Sequence, residues 1–372
     1  MLDLPVIDCS GAPRELGRAQ GEALRGLVQK FVDQRFRALS VYLAERHQAE
    51  RLSEFERVGR ACLEIAQRFD PEGTEEHFGI AEGAAVDPVL LYAAANMTDL
   101  RDVLVLPASP DEEGCTSVLV PRGKSRDRLV IAGQTWDLNP DDLAFVVAVH
   151  RLPSSGPETW SITCAGALSL VGMNAEGIAV GTTNIKTRAS RRGVGYLTVL
   201  HRAIRARTRA EASDVVRRAP RAAAHTYWIA DTASGVQLEC DPNGVFERGL
   251  EGDPIVQTNH CQAFPLRERE GEAVTASSLR RLARAGAWLA RGDVDVDTVR
   301  ALFADRSDGI ESINRYPEDA QGTTTNACIV CIPERRELFA CRGPSDRGEW
   351  RCFTFSTARE EAGGAESAAP GA

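Results

Sequence analysis

Residues 111–137 read DEEGCTSVLVPRGKSRDRLVIAGQTWD. An acidic stretch ends at Gly114, and Cys115 and Thr116 open a run of strand-forming residues. The chain before this point is patterned as helix and the chain after it largely as strand, so the seam of the fold falls at Gly114–Cys115. A Gly-Cys pair at such a seam has a plain meaning, a turn glycine before a buried thiol. It also has a chemical one: the chain cuts itself here and Cys115 becomes a new N-terminus. A thiol of pKa ~8.5 is a few per cent thiolate at neutral pH and gains from a nearby base. A free α-amino group, pKa ~7.7–8.0, on the same residue would be that base. The cut has a route, in which the thiol attacks the Gly114 carbonyl and water hydrolyses the thioester. Glycine keeps that carbonyl open and its backbone free to strain.

Upstream, ELGRAQGEALRGLVQKFVDQRFRALSVYLAE (residues 15–45) spaces its apolar residues mostly three, four or one apart, a helical stripe. LSEFERVGRACLEIAQRF (52–69) repeats it, and DPVLLYAAANMTDLRDVLVL starts a third helix at Asp87-Pro88. Downstream, CTSVLVP, RLVIAG, FVVAVHRL, TWSITCAGALSLVGM and GIAVGTTNI are short, β-branched and bounded by turn residues. RGVGYLTVLHRAIRARTRAEASDVVRRA returns to helix, and HTYWIADTASGVQLECD reads as a hairpin about residues 231–235. SSLRRLARAGAWLAR and VDTVRALFAD are helical; ACIVCI, ELFACR and WRCFTFS close as strands. Runs of strands separated by paired helices predict a layered α+β fold.

The net charge of −9, with no dense basic stripe, excludes a polyanion-binding surface, so no nucleic acid partner is expected. No apolar run approaches the ~20 residues that span a bilayer. The opening MLDLPVIDCSGAPRELGRAQGEAL lacks a cationic segment followed by an apolar core, so a cytoplasmic location and no membrane partner are expected. Ten cysteines in that compartment are expected reduced and mostly buried.

Several blocks occur in a particular order: SGAPRELGRAQGEAL, GCTSVLV, GQTWDLN, GMNAEGIAVGTTNI, QTNHC and SSLRRL. In this the sequence resembles the acyl-coenzyme A:6-aminopenicillanic acid acyltransferase family, autoproteolytic N-terminal-nucleophile enzymes related to choloylglycine hydrolases. The resemblance implies a four-layer αββα sandwich preceded by a helical N-terminal segment. Residues 1–114 would be a mostly helical α chain and 115–357 the catalytic β chain, the two staying associated after cleavage. Residues 358–372 are read as a disordered tail. It implies Gly114–Cys115 as the cleavage site and Cys115 as nucleophile, and Asp137 as the carboxylate orienting the freed amine. Asn259 matches the oxyanion-hole amide and Asn184 a second site asparagine. Arg281 matches the site arginine, with Arg280 the alternative one register away. Two positions depart: Gln134 stands where choloylglycine hydrolases carry arginine, and Thr135 where several relatives have asparagine. Both weaken a bile-salt or penicillin V reading and leave the nucleophile untouched.

The expected activity is cleavage or formation of linear, non-peptide amides through a thioester on Cys115. The substrate would be a small acyl amide or acyl thioester, no cofactor is required, and a homo-oligomer is compatible with the sequence. An unprocessed, inactive scaffold that binds a ligand or partner is the alternative. His260, next to Asn259, suggests a Cys–His pair, but an N-terminal amine makes it redundant. Cys328-Ile-Val-Cys331 superficially suggests a zinc site, but in a strand positions three apart face opposite sides, so no metal is expected.

Overall fold

The computed structural model describes residues 1–104, 114–319 and 322–356. The 358–372 tail lies outside them. In chain order, β1 (Val6–Gly11) precedes six helices: α1 (Pro13–Ala23), α2 (Arg25–Glu45), α3 (Leu52–Phe69), α4 (Pro71–Ala84), α5 (Pro88–Ala95) and α6 (Met97–Val103). Strands β2 (Thr116–Val120), β3 (Ile131–Leu138), β4 (Val146–Pro153), β5 (Thr159–Cys164), β6 (Val171–Asn174) and β7 (Ala179–Asn184) lead to α7 (Tyr196–Ile204) and α8 (Arg209–Arg218). Then come β8 (His225–Ala230), β9 (Gly235–Asp241), β10 (Gly244–Gly249) and β11 (Ile255–Gln257). Helices α9 (Phe264–Arg267), α10 (Ala276–Ala290) and α11 (Val296–Phe303) are followed by β12 (Thr324–Ile332), β13 (Glu337–Arg342) and β14 (Arg351–Phe353).

The strands form two sheets, one in the order β1-β4-β5-β6-β7-β8-β9-β10 and one in the order β11-β2-β3-β12-β13-β14. Helices α7 and α8 pack on the first, α10 and α11 on the second, and β7 and β6 meet β2, β3 and β12 between them. This is the expected αββα layering. β12 shows how the sequence produces it. Cys328, Val330 and Ile332 enter the core under α10 and α11, while Ala327, Ile329 and Cys331 enter the larger core between the sheets. Apolar residues at every position of a strand are what a sheet covered on both faces requires. The two cysteines of the CxxC thus face different cores.

The first hundred residues are helical except for β1, which the periodicity did not mark. It pairs in parallel with β4, Val6 opposite Ala148. Helix starts follow their caps: Asp70 accepts from Gly73 N before Pro71, and Asp87 from Val89 N and Leu90 N before Pro88. Helices α1 and α4 touch backbone to backbone. A β-carbon on Gly17 or Gly21 would lie 1.9 or 2.3 Å from a carbonyl oxygen of α4, and one on Gly79 or Gly83 2.2 or 2.4 Å from one of α1. The segment also caps a later helix. The first N–H groups of α7 donate to Tyr92 Oη (from Gly195, 2.9 Å), Asp99 Oδ2 (from Tyr196, 2.9 Å) and Asn96 Oδ1 (from Leu197, 3.4 Å). Among the described residues no single helix is long and apolar enough to cross a membrane.

Candidate active site

Pairing of β2 with β3, Thr116 opposite Thr135, carries Cys115 to the end of β3 where Asp137 stands. Cys115 is 7% exposed, and its thiol points at the Asp137 carbonyl, Sγ to O 3.8 Å. Gly114 is wedged against two charged side chains. A β-carbon there would lie 2.8 Å from Asp137 Oδ2, 2.8 Å from Arg315 Cζ and 2.9 Å from Arg315 Nε. No larger residue fits without moving them.

Arg281, on α10 and 1% exposed, reaches across this junction. Its Nη1 donates to Gly114 O at 2.9 Å, Cys115 O at 2.5 Å and Thr116 Oγ1 at 3.0 Å; its Nη2 donates to Asn259 Oδ1 at 2.9 Å. Arg280 points outward and pairs with Glu311, so of the two candidate registers it is Arg281 that meets Cys115. Ser277 Oγ accepts from both Arg281 Nε (3.3 Å) and Arg315 Nη2 (2.6 Å), tying the two guanidiniums together.

Asp137 is fully buried, and neither of its carboxylate oxygens has a hydrogen-bond donor among the described residues. Burial pushes its carboxyl up to about 6, with the charges of Arg315 and Arg281 and the nearby Thr325 and Thr135 hydroxyls offsetting part of the rise. Asn259 follows β11; its Nδ2 donates to Asn184 O at 3.0 Å, so one hydrogen bond joins the two asparagines. His260 is engaged elsewhere, with Nδ1 on Ser278 Oγ at 2.8 Å, and burial followed by the Arg281 and Arg267 charges lowers its pKa. Gln134 ties the sheets: its Oε1 accepts from Thr182 N at 2.9 Å and Trp228 Nε1 at 2.8 Å.

A small cavity opens beside Cys115. Asp137, Asn184 and Thr182 give it polar walls, and Trp136, Leu138, Leu170 and Tyr196 apolar ones. His225 also lines it, bonded through Nε2 to Asp99 Oδ1 at 2.6 Å. Asn259, Arg281 and His260 do not line it. Sequence reading missed Arg315 and His225. Arg315 sits in the loop segment NRYPED, which carries no periodicity. His225 and Asp99 are 126 residues apart and meet only through the fold.

Comparison with known proteins agrees with the ordered blocks. The family model described as "Acyl-coenzyme A:6-aminopenicillanic acid acyl-transferase" matches residues 122–343, well over half the chain, beginning just past Cys115. The chain is 25% identical over 260 residues to the acyl-coenzyme A:6-aminopenicillanic-acid-acyltransferase 40 kDa form of Emericella nidulans, covering 68% of this chain and 69% of that protein. Solved structures similar to it include a mutant of the conjugated bile acid hydrolase from Clostridium perfringens. There the TM-score is 0.43 at 11% identity, over 65% of this chain and 97% of that one. Another is penicillin V acylase from Agrobacterium tumefaciens, with TM-score 0.42 at 13% identity over 65% and 86%.

Proposed function

Because the chain belongs to the acyl-coenzyme A:6-aminopenicillanic acid acyl-transferase family, we propose that it is a self-processed cysteine enzyme that moves acyl groups between amide or thioester donors and an acceptor. The observation that carries this is the Arg281 contact with Gly114 O, since that carbonyl is the one the cut must attack. A guanidinium already on the oxygen that becomes an oxyanion stabilises the tetrahedral intermediate without reorganising. Cys115 Sγ attacks the Gly114 carbonyl carbon, the Gly114–Cys115 C–N bond breaks, and water hydrolyses the resulting thioester.

The freed α-amine then meets the buried Asp137 carboxylate, whose oxygens have no donor in hydrogen-bonding geometry among the described residues. Asp137 holds the amine as the base for the Cys115 thiol, and Arg315 and Arg281 keep the carboxylate charged. In turnover, Cys115 takes the acyl group as a thioester. The family's oxyanion donor falls on Asn259, with Asn184 beside it. The Trp136, Leu138 and Leu170 walls suit an apolar acyl group. Residues 1–114 stay bound to 115–357 through the β1–β4 ladder and the caps they give α7. Ten free thiols, nine of them buried, suit a reducing, cytoplasmic setting.

The test is N-terminal sequencing and gel analysis of purified protein. A new N-terminus at Cys115 in wild type, absent in Cys115→Ala, is expected. A single full-length band for both defeats the proposal. Mass spectrometry of the processed enzyme with acyl amides and acyl thioesters is then expected to show the acyl group on Cys115.

A further inference from the structure

The eight-stranded sheet places a buried histidine on the same cavity as Cys115, and none of the steps above uses it. His225 opens β8 directly opposite Asn184 of β7 and is 2% exposed. Its ring stacks on Tyr196, centroids 4.7 Å apart. Asp99, 1% exposed, accepts from His225 Nε2 on one oxygen and from Tyr196 N on the other. With the ring proton held on Nε2 by that carboxylate, Nδ1 is left as an acceptor. The donor nearest to it is the Thr182 hydroxyl at 3.5 Å, and that hydroxyl gives its one proton to Thr226 O at 3.0 Å. Among the described residues this leaves a buried lone pair without a committed donor, in the wall of a cavity, and such a lone pair calls for an N–H or O–H from a ligand.

Resting on the thioester reading above, we infer that the His225–Asp99 pair is the subsite for a primary amine that accepts the acyl group, which assigns the chain to transfer rather than hydrolysis. The neutral amine donates N–H to Nδ1 and attacks the acyl-Cys115 carbonyl carbon. The new C–N bond forms as the C–S bond breaks, the amine proton passes to Nδ1, and it is then returned to the Cys115 thiolate. The acyl group moves from sulfur to nitrogen with no net change in protons. Asp99 balances the ring's transient charge and fixes its tautomer, the role a buried carboxylate plays behind a catalytic imidazole.

The test measures how one acyl-enzyme partitions. Processed enzyme is acylated with p-nitrophenyl hexanoate in rising glycinamide, and the ratio of N-hexanoylglycinamide to hexanoic acid is read by mass spectrometry. Being a ratio, it does not depend on how much enzyme folds or acylates. In His225→Gln it falls about 100-fold, the size of a lost general base. Asp99→Asn is expected to give the same fall. Its side-chain oxygen keeps the α7 cap, but its NH₂ donates to Nε2 and moves the ring proton to Nδ1. An unchanged or higher ratio in both variants overturns the assignment, as does wild type that yields only acid at saturating amine. Wild type that cuts at Cys115 but never carries hexanoyl there overturns the thioester reading itself, a distinguishable result.

Discussion

Arg281 Nη2 donates to Asn259 Oδ1 at 2.9 Å while its Nη1 holds the Gly114 carbonyl at the same distance. One buried guanidinium therefore connects the bond proposed to break with the asparagine proposed to stabilise later oxyanions. Replacing it by methionine is expected to slow self-cleavage by about 100-fold or more, the effect of losing an oxyanion donor. Lysine restores the charge but not the fork, so it rescues only in part. Arg280→Met, on the exposed side of the same helix, leaves the rate unchanged. A gel time course after denaturant dilution measures all three; equal rates for wild type and Arg281→Met would refute the role.

Gly114 has no room for a methyl group between Asp137 and Arg315. Gly114→Ala should fold, since the strain is local, but displace the carbonyl from Arg281. Cutting is expected to slow more than tenfold while the thermal midpoint stays within a few degrees. Wild-type cutting in this variant would show that the fit at Gly114 is irrelevant to the chemistry.

The Asp137 carboxyl of the uncut chain titrates at about 6 rather than the 3.8 of an ordinary aspartate. Folding thus favours its protonated form. The stabilisation is fully present below pH ~4 and lost as pH rises through about 6, to the extent of roughly 3 kcal/mol. In the uncuttable Cys115→Ala background, Asp137→Asn removes this slope. Denaturation curves of the two proteins from pH 4 to 7 should diverge, with the Asp137 form losing ground as pH rises. Parallel curves would contradict the burial of a lone carboxyl here.

Away from the cavity, Arg151 of β4 donates Nε to Glu76 Oε1 of α4 at 2.7 Å, both 3% exposed, and His201 Nε2 approaches the other oxygen at 3.2 Å. Burial alone would raise the Glu76 pKa, but Arg151 and His201 together hold it well below the usual carboxylate range. Glu76→Gln leaves a buried guanidinium without its counter-charge and is expected to cost about 3–5 kcal/mol in urea unfolding. A loss under 1 kcal/mol would mean the site is wetter than its exposure indicates.

The layered fold was legible wherever it depended on local period. The hairpin HTYWIADTASGVQLECD is β8 and β9, and the two helical stretches before it and after β11 are α7, α8, α10 and α11. β1 was not legible, because a six-residue edge strand pairing in parallel with residues about 142 positions away leaves no local signature. The block GQTWDLN overlaps β3: Gln134 to Leu138 lie inside that strand and Asp137 stands in the ladder opposite Thr325. The family blocks brought Cys115, Asp137, Arg281 and Asn259 to notice, and the fold gathers them at one junction. Arg315 and the His225–Asp99 pair carry no motif; only the fold brings Arg315 against Gly114 and sets His225, held by Asp99, in the cavity wall.

The idle oxygens of Asp137 give maturation a direction. Before the cut they face a neutral peptide and two guanidiniums held by other partners; afterwards an amino terminus stands where that peptide was, and it becomes cationic on taking the thiol's proton. Religation would have to dismantle a newly made ion pair inside the protein, so the step behaves as a ratchet. The severed form should therefore outlast its precursor on heating.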